Sequence, residues 1–243
     1  MLHAVKPTAE EILEGREVSH MNLTSPTLDV GDCVRYDIAM VIPPGLRNLY
    51  IHSRSTTQIR FDPMTEKELA ELAVYLTTTD SRNMLLPTQN IRAKSTKYSM
   101  AGGWITGSAT ILDKVVVDTE VGDANTRLYV QQSLGHSDNA AILETLSGNG
   151  HTEIFYDKVI TPGQSEGAQR PIRSIHRAGH GDMSLIYRDI PFNGKISIHA
   201  KYLERAKDLP VLRKGSDISW LGRLSGRDEM YIFSSGSVDL YFA

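Results

Sequence analysis

The chain has 243 residues, 40% hydrophobic and 23% charged, with 26 Lys and Arg against 29 Asp and Glu, for a formal net charge of -3. That composition excludes a disordered or fibrous chain. Near-neutral charge argues against whole-surface attraction to nucleic acid or anionic membrane, while leaving room for a local basic patch. A single cysteine, Cys33, excludes an internal disulfide and any zinc site built on cysteine pairs.

No apolar run of about 18 residues occurs, and residues 1–7 do not read as a signal peptide. The expectation is therefore a reducing compartment, cytoplasm or nucleus, with a virion as a further setting. Chain length suits one globular domain over residues 1–243, with a flexible loop or sub-domain boundary near 161–182. No internal repeat and no low-complexity tract is apparent.

Thr8-Ala9-Glu10-Glu11 is a capping box and predicts a helix over 9–17. Val34–Ile42 reads as a strand stopped by Pro43-Pro44-Gly45, with Cys33 as a packing residue beside it. Asn48–Ser53 and Thr56–Phe61 read as a hairpin. The strongest helical signal follows: after a second capping box at Thr65–Glu68, residues Leu69, Leu72, Ala73 and Leu76 fall on one helical stripe.

From Trp104 to Ser133, short β-branched and aromatic runs punctuated by glycine predict strands. Residues 137–150 fit either a short helix or one arm of a hairpin. The hairpin is preferred, pairing Ile142–Leu146 with Glu153–Ile160 through Ser147-Gly148-Asn149-Gly150. Residues 161–167 read as linker. Met183–Arg188 and Lys195–Ala200 read as strands, Tyr202–Lys207 as one or two helical turns, and Met230–Ser234 with Ser237–Phe242 as a terminal hairpin. The fold class expected is α+β, a mainly antiparallel, sandwich-like sheet with two or three short helices.

Phosphate loops, dinucleotide-binding glycine motifs, metalloprotease motifs and serine-hydrolase elbows are absent, no family is recognised, and no cofactor is expected. One segment, Gln169–Asp182, concentrates chemistry. Arg170, Arg173 and Arg177 could contact phosphate through their planar forks. His176, His180 and Asp182 are weak candidate metal ligands, because glycines at 179 and 181 oppose the helix that would align two histidines four apart. The bland alternative is a solvated loop.

A second basic group, Arg47, Arg54 and Arg60, is interleaved with aromatics and could meet single-stranded nucleic acid. Tyr231, Phe233, Leu240 and Phe242 are candidates for an assembly interface. Three functions compete. The first is a non-enzymatic structural or interaction protein that self-assembles, with a viral coat, matrix or movement-type profile and basic segments meeting nucleic acid or an acidic protein. The second is a metal-dependent hydrolase or phosphoesterase at His176, His180 and Asp182. The third is a monomeric nucleic-acid-binding module.

Overall fold

The computed structural model describes residues 2–5, 20–23, 37–133, 139–157, 170–187, 192–207, 218–222 and 225–242. The chain separates into two compact units, Met1–Asn48 and Leu49–Ala243. In the first unit, β1 (Leu2–Val5) and β2 (His20–Leu23) form a two-stranded antiparallel sheet. The helix expected at 9–17 and Cys33 lie outside the described residues. Of the strand expected over 34–42, residues 37–42 are not strand, and Ile38, Met40 and Val41 are exposed.

In the second unit the described elements are all strands. They are β3 (Asn48–Ser53), β4 (Gln58–Arg60), β5 (Lys67–Leu76), β6 (Met84–Leu86), β7 (Ile91–Met100), β8 (Trp104–Thr119) and β9 (Asn125–Gln132). There follow β10 (Ala141–Ser147), β11 (Thr152–Asp157), β12 (Ile172–Ala178), β13 (Met183–Tyr187), β14 (Gly194–Lys207), β15 (Ile218–Leu221) and β16 (Asp228–Phe242).

The hydrogen-bonded order runs β8–β9–β11–β13–β16–β12–β10 and returns to β8. All seven pairings are parallel, so these strands close a parallel β-barrel. This corrects the antiparallel sandwich with short helices: no described residue is helical.

Register explains how a parallel barrel forms without helical crossovers. β8 and β16 each span two faces of the ring. The first half of β8 pairs with β9 and its second half with β10. The first half of β16 pairs with β12 and its second half with β13. The chain thus coils: a strand on face one, a tight corner, a strand on face two, then a longer return. β9, β10 and β11 each pair with the strand two places on, in the next coil, rather than with the strand that follows in sequence. Short-range alternation is identical in both arrangements, so it could not discriminate them.

Inward columns fill the space between the faces. On face one, Tyr98, Val117, Thr145, His176, Ile232 and Ile198 are successive partners and all buried. On face two, Leu128, Ile154, Leu185 and Leu240 form a column of fully buried side chains. Burial of such columns is the main stabilising term, at about 25 cal/mol per Å² of apolar area.

The corner from face one to face two is a stack of glycine turns. A Cβ on Gly148 would stand 2.4 Å from the Glu120 carbonyl oxygen, one on Gly179 3.0 Å from that of Gly148, and one on Gly236 2.3 Å from that of Gly181. Only glycine lets one coil's corner sit this closely on the next. This is a repeat in structure that the sequence hides. Coil lengths vary, as Trp104 pairs with Asn125 but Thr152 pairs with Met183.

Several local expectations are corrected by the same ladders. Residues 67–76 are strand β5, parallel to β7, not helix. Leu72, Val74 and Leu76 alternate inward there, so one run satisfied both periods and the neighbouring edge decided. Asn48–Ser53 and Gln58–Arg60 do not form a hairpin: β4 pairs with β6. β10 and β11 do not pair with each other but lie on different faces. Residues 202–207 continue strand β14.

The expected terminal hairpin is one long strand, β16, bent at Ser235–Ser237. β16 lies between the β12/β13 coil and β14, although β14 precedes it in sequence. Of the segment read as loop, residues 161–169 lie outside the described residues, while 170–182 contain β12 and the next corner.

Candidate anion-binding furrow

β12 alternates strictly, and alternation sends its candidate residues to opposite sides. His176 points inward and is fully buried. Its Nδ1 lies 2.8 Å from the Thr145 hydroxyl and its Nε2 3.0 Å from the Tyr187 hydroxyl. Tyr187 in turn donates to Ser174 Oγ at 3.0 Å. With that proton committed, the Tyr187 oxygen accepts from Nε2–H, and Nδ1 accepts from Thr145.

Burial drives the His176 pKa down to about 3, so the ring is neutral. His180 is exposed at the corner. The Asp182 carboxylate accepts from the backbone N–H and the hydroxyl of Ser237, at 3.3 and 2.6 Å, which holds it below the usual carboxylate range. The three expected metal ligands therefore do not converge. Among the described residues no group of three or more His, Cys, Asp or Glu could hold a metal ion.

The arginines also divide. Arg170 is buried at the opposite corner, bonded to the Leu112 carbonyl and 3.4 Å from Asp113, and it braces two coils. Arg173 and Arg177 project outward from face one. Arg54 and Arg60 belong to the β3–β4 end of the stack, with β5, β7, β8 and β10 between β3 and β12 on face one. Arg54 and Arg60 therefore do not merge with the β12 arginines. Arg47 lies in the first unit. Of the expected interface residues, Leu240 and Phe242 are core side chains, whereas Tyr231 and Phe233 face outward.

What the fold brings together is a cation–aromatic patch on the outer side of face one, carried by β12, β16 and β14. Arg173 and Lys195 lie 5.8 and 5.9 Å from the Tyr231 ring centroid. The next column is Arg177, Phe233 and His199, with the guanidinium 5.7 Å from the Phe233 centroid and His199 stacked on that ring at 5.2 Å. These neighbours come from the coils on either side of β16. Both rings are thus engaged from two sides.

Elsewhere on this face the cations are matched across coils, as in Lys97–Asp118 at 3.0 Å and Lys114–Glu144 at 2.9 Å. Arg173 lies 3.4 Å from Glu229. Arg177 differs: its ladder neighbours are Leu146 and Phe233, and among the described residues no carboxylate pairs with it.

Beside this patch, along the glycine corner, runs an open furrow of about 530 Å³. Glu120, Asn149, Arg177, His180, His199 and Ser235 line it, together with the edges of Leu146 and Phe233. Lys195, His199 and Glu120 escaped the sequence reading. They lie far from Arg177 in sequence and join it only through register. No protein-family model, curated protein or solved structure matches this chain.

Proposed function

We propose that the chain is a non-enzymatic structural and interaction protein: a rigid coil of parallel strands that holds face one against an acidic macromolecular partner. One observation carries this reading: Arg173, Arg177 and Lys195 cluster on adjacent coils, and among the described residues Glu229 is the one carboxylate paired with them. Arginine forks clamped over aromatic rings are already oriented, so less side-chain freedom is lost when an oxyanion binds.

The partner recognised this way offers oxyanions rather than rings. Tyr231 and Phe233 have both sides engaged, so base stacking of the single-strand type is disfavoured. Leu240 and Phe242 are buried in the core and offer no surface for assembly.

The test is binding of the full chain to three polyanions: poly-glutamate, single-stranded DNA and a glucuronate-containing polysaccharide. The expected result is affinity for at least one, falling steeply with salt as counterions are released, and at least tenfold weaker after R173Q, R177Q and K195Q combined. No binding to any of the three at about 50 mM salt overturns the proposal.

A further inference from the structure

We infer that the furrow beside the patch binds an acidic saccharide: a hydroxylated ring carrying a carboxylate or phosphate. This inference rests on the acidic-partner reading and names its chemistry.

Glu120 sits at the corner that follows β8, and His199 lies on β14. Between those coils come β10, β12 and β16, so the furrow crosses about four strand spacings, or roughly 19 Å. Its lining changes in charge from the β8 end to the middle. The β8 end offers the Glu120 carboxylate. The middle and far end offer the exposed Arg177 guanidinium and the imidazoles of His180 and His199.

Asn149 and Ser235 add an amide and a hydroxyl between them. The volume, about 530 Å³, lies in the range of small-ligand sites. Among the described residues Arg177 has no carboxylate partner, and it is the unpaired cation of this face that lines the furrow.

A ligand for this lining needs an oxyanion for Arg177 and hydrogen-bond donors for Glu120. An acidic peptide supplies the first, and its backbone N–H groups can supply the second, but its further carboxylates would meet Glu120 with like charge. A nucleic-acid strand brings a charge at every phosphate and bases that need open ring faces, which this site does not present. A sugar acid or sugar phosphate carries one anion and several hydroxyls on one compact ring. Glu120 therefore selects among acidic ligands, and Arg177 supplies the attraction.

The experiment is calorimetric titration of the full chain with a glucuronate-containing trisaccharide, with glucose 6-phosphate, and with a neutral glucose trisaccharide. Poly-glutamate and single-stranded DNA serve as comparison probes. The expected result is binding of the trisaccharide acid, the sugar phosphate, or both, the two arms identifying the carboxylate or phosphate source, with the neutral sugar at least tenfold weaker. R177Q lowers acidic-sugar affinity at least tenfold. E120Q lowers it severalfold and leaves the binding of inorganic phosphate, titrated alongside, unchanged.

Both side chains are exposed, so the variants should fold, and unchanged thermal melting checks this. Equal binding of neutral and acidic sugars overturns the inference. Binding of poly-glutamate or DNA without the acidic sugars overturns it while sparing the acidic-partner reading. Failure of every probe overturns both.

Discussion

His176 Nε2 lies 3.0 Å from the Tyr187 hydroxyl and so ties face one to face two through the core. The imidazole is fully buried, its other nitrogen is held by Thr145, and burial lowers its pKa to about 3.

This contact predicts an acid-sensitive fold. The unfolded chain protonates this histidine below about pH 6.5, whereas the folded chain resists until near pH 3. The unfolded state therefore binds more protons in that window. Stability is complete above it and falls as pH drops, by up to about 1.4 kcal/mol per pH unit. Denaturant unfolding at about pH 7 and about pH 5 measures the loss. In His176→Leu that part of the pH dependence should vanish; an identical slope in the variant would refute the assignment.

The stacked corner predicts a sharp contrast between glycines. A Cβ on Gly181 would stand 2.0 Å from the Gly150 carbonyl oxygen, with backbone on both sides of the clash. Gly181→Ala should cost more than about 2 kcal/mol, because neither coil can yield without disturbing its neighbours. Gly45, whose Cβ would meet nothing within 4 Å, is the control; Gly45→Ala should stay within about 0.5 kcal/mol. Chemical denaturation of both variants decides it, and equal effects would show that corner stacking is not the constraint.

Asp228 secures the inserted strand. One carboxylate oxygen accepts from the Ile172 N–H at 3.0 Å and the other from the Asn193 N–H at 2.7 Å, so the residue staples β12, β16 and the approach to β14. Burial raises its pKa against the pull of those two bonds. Asp228→Asn presents an N–H₂ to one of the backbone donors and should cost about 1–3 kcal/mol. Hydrogen exchange should speed up first in β14. Uniform acceleration across β5 to β16 would mean that the staple is not local.

Much of the strand content was legible. The alternating runs at 125–132, 152–157 and 183–187 are strands, because one side of each meets a packed interior. Residues 67–76 misled for a physical reason: Leu69, Leu72 and Ala73 fit a helix, while Leu72, Val74 and Leu76 fit a strand, and only the presence of β7 selects between them. The candidate site was half legible. Arg173 and Arg177 could be read from β12 itself, but Lys195, His199 and Glu120 join them through pairings with distant segments.

Local pattern by itself determined that the chain would build short extended segments around an apolar interior, with glycines at several of the corners. Tertiary structure alone decided that those segments run parallel and close into a ring, and that β16 slips between coils formed earlier in sequence. The reason lies in the two kinds of information. Side-chain alternation records which face is buried, whereas strand direction and partner are set by hydrogen bonds between backbones, which every sequence shares.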